Sequence, residues 1–153
     1  MTISKRDSFA CGAAGLAEGT NANTFKITNA THYVVDGRAY MKAAATDNIA
    51  FAVATGTSHT ALAANQVCVF FILINAAGTV TALQSDIKTA STGSGYRPGA
   101  FEWPDRESVA CIGAIKVQTA ATTFTAGSTD LGAASVTDTY YDVAFDYGKP
   151  ITY

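Results

Sequence analysis

The sequence predicts an all-β chain: a single antiparallel β-sandwich or barrel of about eight or nine strands, with a flexible N-terminal arm. Three observations predict it. Val67–Ile74 is apolar without a break, and its β-branched and aromatic residues suit a pleated, packed surface. Turn compositions rich in Gly, Asn and Asp recur at intervals of about ten residues. No stretch carries a sustained 3.6-residue apolar period; Ala61–Gln66 and the residues around Phe101 have the composition for one or two helical turns at most. With 153 residues, the chain is the size of one domain with a real core.

In chain order, residues 1–24 are rich in Gly, Ala, Asn and Thr and lack a period, which predicts an arm whose apolar residues Phe9 and Leu16 dock on something. The β domain is then expected over residues 25–153. Phe25 and Ile27 alternate with polar neighbours, as in a half-buried strand. His32–Val35 and Arg38–Lys42 flank Asp36-Gly37, the strongest short hairpin signal, because a type I′ turn needs positive φ at both central residues. Thr46-Asp47-Asn48 reads as a turn, Ile49–Val53 as a strand and Thr55–Thr60 as a polar loop. Val67–Ile74 is the central buried strand, Asn75-Ala76-Ala77-Gly78 its turn, and Thr79–Leu83 its half-exposed partner. Thr89–Gly99 is the longest flexible-looking segment and leads to Phe101, Trp103 and Pro104. Ser108–Val117 is a second near-continuous apolar strand, the natural neighbour of the first. Gly113 within it marks a bulge or a close backbone approach. A short edge strand is expected around Phe124 and a turn at Gly127–Asp130. Val136–Asp146 is the last long strand, and Pro150 keeps the tail out of a central position.

Composition narrows the function. Charged residues are 14% of the chain, against roughly 25% in an average globular domain. The surface is correspondingly cheap to desolvate and suited to packing against another surface. Net charge is −2 and the only adjacent cations are Lys5-Arg6, which argues against nucleic-acid binding. No apolar run is long enough for a transmembrane helix. Cys11, Cys68 and Cys111 are odd in number and dispersed, so no disulfide framework is expected; Cys68 and Cys111 read as small buried hydrophobes. Residues 5–17 mimic a signal peptide weakly, but Asp7 and the Ala/Gly-rich run that follows spoil the pattern.

A search for chemistry finds no catalytic residues and no cofactor. His32 and His59 have no Cys, His or carboxylate at metal-ligand spacing, and His59 reads as a solvated loop residue. Gly93-Ser94-Gly95 lacks the strand-to-helix context of a nucleophile elbow. Glu102, Asp105 and Glu107 read as a solvated turn. Asp138, Asp142 and Asp146, spaced by four, read as an outward stripe on one strand face, without the loop that calcium sites use. Binding surface is the better question. Tyr96, Phe101 and Trp103 gather in or beside the long loop, and Tyr147 and Tyr153 close the chain; with Phe9 and Leu16 they form the expected interface set.

Several stretches resemble small β-rich virion proteins of tailed bacteriophages. They are FKITNATHYVVDGRAYMKAAATDNIAF, the apolar strand ending NAAGTV, SVACIGAIKV, and FTAGSTDLGAASVTDTY, together roughly Phe25–Tyr140. The resemblance implies a capsid decoration (cement) protein: a homotrimer on the outside of a phage head, bound to the major capsid protein, made in the host cytoplasm and carrying no catalytic residues. Two alternatives stand beside it: a head-fibre or tail component of the virion, and a carbohydrate-binding or adhesin module stacking sugars on Trp103 and Tyr96.

Overall fold

The computed structural model describes residues 7–90, 96, 101–102, 107–146 and 149–152; for 144–146 and 149–152 it describes backbone alone. Every regular element among them is a β-strand. Three antiparallel sheets pack together without closing into a barrel, the arrangement of a β-sandwich.

The largest sheet is organised on two long strands, β7 (Gln66–Asn75) and β10 (Val109–Thr119), paired antiparallel from Val109 opposite Asn75 to Gln118 opposite Val67. On the far side of β10 lie β11 (Val136–Asp146) and then β12 (Lys149–Thr152); on the far side of β7 lie β8 (Val80–Gln84) and β9 (Lys88–Thr89). β12 takes the sheet edge, where a proline need not donate to a further strand. The eight residues Val67–Ile74 are all buried because β7 is covered on both faces. Cys68, Phe70, Ile72 and Ile74 point into one core, and Val67, Val69, Phe71 and Leu73 into a second. That is why the run shows no polar alternation.

The first face is covered by two small sheets. One is β1 (Phe9–Ala10), β4 (Thr31–Val35) and β5 (Arg38–Lys42); the other is β2 (Leu16–Glu18), β3 (Phe25–Ile27) and β6 (Thr46–Ile49). Between them and the large sheet sit Phe25, Ile27, Tyr33, Phe51, Leu62, Phe70 and Phe124. Phe51 stands edge-on to Phe25 and to Phe70, at centroid distances of 5.1 and 5.2 Å. Full burial of each such side chain contributes about 1.5–3 kcal/mol. The second face holds Ala54, Phe101, Cys111 and Ala114.

The Asp36-Gly37 turn forms as expected, with φ of 50° and 75°. Gly113 answers the expectation of a bulge: the β10–β7 register shifts between Cys111 and Gly113. A Cβ there would overlap the Leu16 side chain and come within 2.7 Å of the Tyr141 carbonyl oxygen. β2 therefore seats its leucine on the bare backbone of β10, and the Leu16 amide donates to Asp142 Oδ1 at 3.1 Å.

Four expectations change. Residues 7–24 are no free arm: β1 and β2 pair in the small sheets, and Ala10, Ala14 and Leu16 are buried. Small residues there permit close sheet contact, which the composition alone presents as floppiness. The strand expected at Ile49–Val53 lies earlier, at Thr46–Ile49, because Phe51 leaves the ladder to enter the core. Ala61–Gln66 forms no helical turn; Leu62 instead bridges antiparallel to Phe124, so the edge strand expected there is a single bridge. Asp142, read as part of an outward acidic stripe, holds β2 in place.

Two consequences can be measured. Burial pushes the thiols of Cys68 and Cys111 up to about 12, while Cys11 is exposed. At pH 8 a thiol reagent is expected to react promptly with one of the three cysteines in the folded chain and with all three after denaturation. Prompt reaction of a second thiol in the folded protein would contradict this packing. Tyr140 Oη is buried and makes no hydrogen bond. Burial first, then the carboxylates of Asp138 and Glu18, hold the phenol neutral well above its usual range. Asp138 thus acts on it electrostatically while lying outside good hydrogen-bond geometry. Tyr140→Phe is expected to leave stability unchanged or raise it by up to about 1 kcal/mol, since an unsatisfied buried hydroxyl is removed. A measured loss above about 1 kcal/mol in urea unfolding would show that the hydroxyl is bonded.

Candidate interaction face

From Asn48 to Ser85 the chain contains no Asp, Glu, Lys or Arg, and from Val117 to Thr129 it contains none again. β7 and β8 account for part of the first stretch. Most of the remainder, residues 50–65, is a loop laid along the outer edge of β8. The Ala82 amide donates to Ala52 O at 2.7 Å and the Ala54 amide to Ala82 O at 3.2 Å. His59 Nε2 donates to Ala82 O at 2.9 Å, and its ring stands edge-on to Phe70. His59 is thus a clamp between loop and sheet, where the sequence suggested a solvated side chain. The Gln84 side chain then pairs with Thr60 in both directions: its Oε1 accepts from the Thr60 amide and its Nε2 donates to Thr60 O.

The same loop meets the second charge-free stretch. Leu62 and Phe124 exchange backbone hydrogen bonds of 2.8 and 3.0 Å, and the Asn65 amide donates to Ala120 O at 2.9 Å. Thr119 Oγ1 donates to Ala63 O at 2.6 Å. Leu62 and Phe124 point inward and are buried; their neighbours Ala61, Ala63, Ala64, Thr123 and Thr125 are exposed. The result is one continuous outer face of small neutral residues, fixed by backbone pairing to the β8 edge and the β10 end. Val53, 46% exposed, is its one large apolar side chain; the other exposed large apolar residue among those described, Met41, lies on β5.

Residues 50–65 and 120–127 contain no carboxylate side chain. The face can be covered by another macromolecule without stripping water from an ion, a penalty of several kcal/mol per charge.

Among the described members of the expected interface set, only Tyr96 and Phe101 are in ring contact with each other. Phe9 is half-buried in β1, opposite Val34. Leu16 is buried at 7% exposure against Gly113. Phe101 is buried at 3% exposure in the second core, with Tyr96 half-buried beside it at a centroid distance of 6.0 Å. Lys88 Nζ lies 4.9 Å from the Phe101 ring centroid and 5.9 Å from that of Tyr96. Leu16 and Phe101 thus hold the fold and present almost nothing to solvent. Trp103, Tyr147 and Tyr153 lie outside the described residues. The face itself was readable as a charge gap in the sequence, but an aromatic search passes over alanine and threonine.

A second feature is a cleft of about 750 Å³ where the tips of the β4–β5 and β7–β8 hairpins meet the start of β10. Its lining includes the apolar Val35, Leu73 and Val109 and the polar Asp36, Glu107, Ser108, Thr79 and Thr81. Ser108, at φ 60°, donates its hydroxyl to Asp36 Oδ2 at 2.8 Å.

No protein-family model, curated protein or solved structure matches the chain.

Proposed function

We propose that this chain is a structural virion protein: a capsid decoration protein that binds the outside of a bacteriophage head, contacts the major capsid protein and toughens the shell. The observation that carries the reading is the charge-free face of residues 50–65 and 120–127, held rigid on an all-β scaffold. A standard specific interface buries about 1,600 Å² in total. A pre-organised loop face pays little ordering entropy to make one, and contacts repeated over a lattice add by multivalency. The resemblance to small phage virion proteins points the same way. Assembly as a homotrimer belongs to the same proposal. A head-fibre or tail position would use the same face.

The test is binding of purified protein to emptied heads of the phage that encodes it. Saturable co-sedimentation and a trimer in sedimentation equilibrium support the reading. A strictly monomeric protein that stays in the supernatant at high micromolar concentration overturns it. The sugar-binding alternative is checked on a glycan array, where binding lost on Trp103→Ala would displace the decoration role. Tyr96 is already engaged by Phe101 and Lys88, which leaves it a poor stacking platform.

A further inference from the structure

We propose that His59 is a pH-sensitive gate on the interaction face: neutral, it lets the face be covered, and protonated, it puts a cation there and weakens binding. The inference rests on the decoration reading and adds a regulation to it. The first observation is charge. Residues 48–85 and 117–129 contain no Asp, Glu, Lys or Arg, and His59 is the one histidine among them. Histidine is the side chain whose ordinary titration falls between pH 5 and 8. The second observation is place. His59 is half-buried between the exposed residues Ser58 and Thr60. Its ring stands edge-on to the buried Phe70 at a centroid distance of 5.3 Å. The imidazole therefore sits at the seam between core and face, where a covering partner would remove its remaining water.

The hydrogen bond to Ala82 decides what protonation changes. A carbonyl oxygen can only accept, so Nε2 carries the ring hydrogen in the neutral form and the 2.9 Å bond survives in both forms. The added proton goes to Nδ1. Ala82 O also accepts from the Ala54 amide, which keeps the loop on β8. Acid thus changes the charge of the face and leaves its backbone frame in place. The strands packed against the ring, β7 and β8, carry one titratable side chain, Cys68; burial pushes its thiol up to about 12, so it stays neutral. Asp86, two residues past β8, has Lys88 Nζ 3.7 Å from its carboxylate. Covering an unpaired cation costs several kcal/mol, so the covered state favours the neutral ring. Binding is full above the titration of the ring and is lost as pH falls through it.

The experiment is co-sedimentation of the full chain with emptied heads at pH 7.5 and pH 5.5, for the wild type and for His59→Gln. Glutamine keeps an N–H of similar reach for Ala82 O and never charges. Wild-type affinity is expected to fall about tenfold between the two pH values, and by no more than about tenfold per pH unit, the limit for one linked proton. The affinity of His59→Gln should stay within about twofold, since nothing on its face titrates. Calorimetry on the wild type gives a readout that needs no variant: protons should be released on binding at pH 5.5 and not at pH 7.5. Wild-type binding that is equal at both pH values, binding at pH 5.5 without proton release, or an acid loss equal in the wild type and His59→Gln overturns the gate and leaves the decoration reading standing. No saturable binding at either pH overturns the decoration reading, and the gate with it.

Discussion

Replacing Gly113 with valine is expected to destabilise the chain by about 3 kcal/mol, the upper end of the usual penalty for forcing carbons into a filled core. At roughly 2–4 °C per kcal/mol for a chain of this size, Tm should fall by about 6–12 °C. The cause is local. The added carbons would enter the space of the Leu16 side chain and press on the Tyr141 carbonyl across the β10–β11 ladder. β2 would have to lift, loosening the bond from the Leu16 amide to Asp142. A double-mutant cycle separates the two contacts. Leu16→Ala alone removes buried surface and destabilises, yet it opens room beside Gly113. Gly113→Ala and Leu16→Ala together should therefore cost less than their sum, by at least about 0.5 kcal/mol. Strict additivity would mean that the backbone contact with Tyr141, and not Leu16, sets the glycine requirement.

The second large effect is on assembly. Ala63→Glu/Thr123→Glu places two carboxylates on the charge-free face at exposed positions. Stability should move by less than about 0.5 kcal/mol, as for ordinary surface substitutions. Affinity for phage heads should drop at least 100-fold, because covering an unpaired charge costs several kcal/mol. The matched control is Ala39→Glu on β5, exposed and flanked in sequence by Arg38, where affinity should stay within about twofold. Equal loss from both variants would move the contact away from the face.

These two predictions rest on parts of the molecule that were unequally legible. Gly113 was readable: a glycine inside an apolar strand has few reasons to be there, and a bulge with a close approach is one of them. The Asp36-Gly37 turn, the doubly covered strand at Val67–Ile74 and the span Val136–Asp146 were readable for similar reasons, since local chemistry and tertiary role agree there. Residues 7–24 were not. Their glycines, alanines and asparagines look like a tether, and only their pairing partners, Val34 for Phe9 and Ile27 for Leu16, make strands of them. Ile49–Gln66 failed for a related reason. Phe51 and Leu62 are core residues embedded in exposed, irregular chain, so no period of two or of 3.6 marks them.

The proposed face and the expected interface residues were chosen by different signals. Low charge pointed to a surface made for contact. Leu16, named for its place in the expected arm, and Phe101, named as a loop aromatic, are both used internally by the fold. Aromatics supply hot spots where a few side chains must carry the affinity. A protein that binds in many copies needs less from each, and a face of alanine and threonine can suffice.

The central claim is that this chain coats a phage head through its charge-free face. The most direct measurement is cryo-electron microscopy of particles reconstituted with the wild-type protein and with Ala63→Glu/Thr123→Glu. The account predicts symmetric density on the outer shell at three-fold or quasi-three-fold positions for the wild type, oriented with residues 50–65 and 120–127 against the capsid, and none for the variant. Wild-type density confined to the tail or to fibres, or contact made through the β5 side of the molecule, would contradict it.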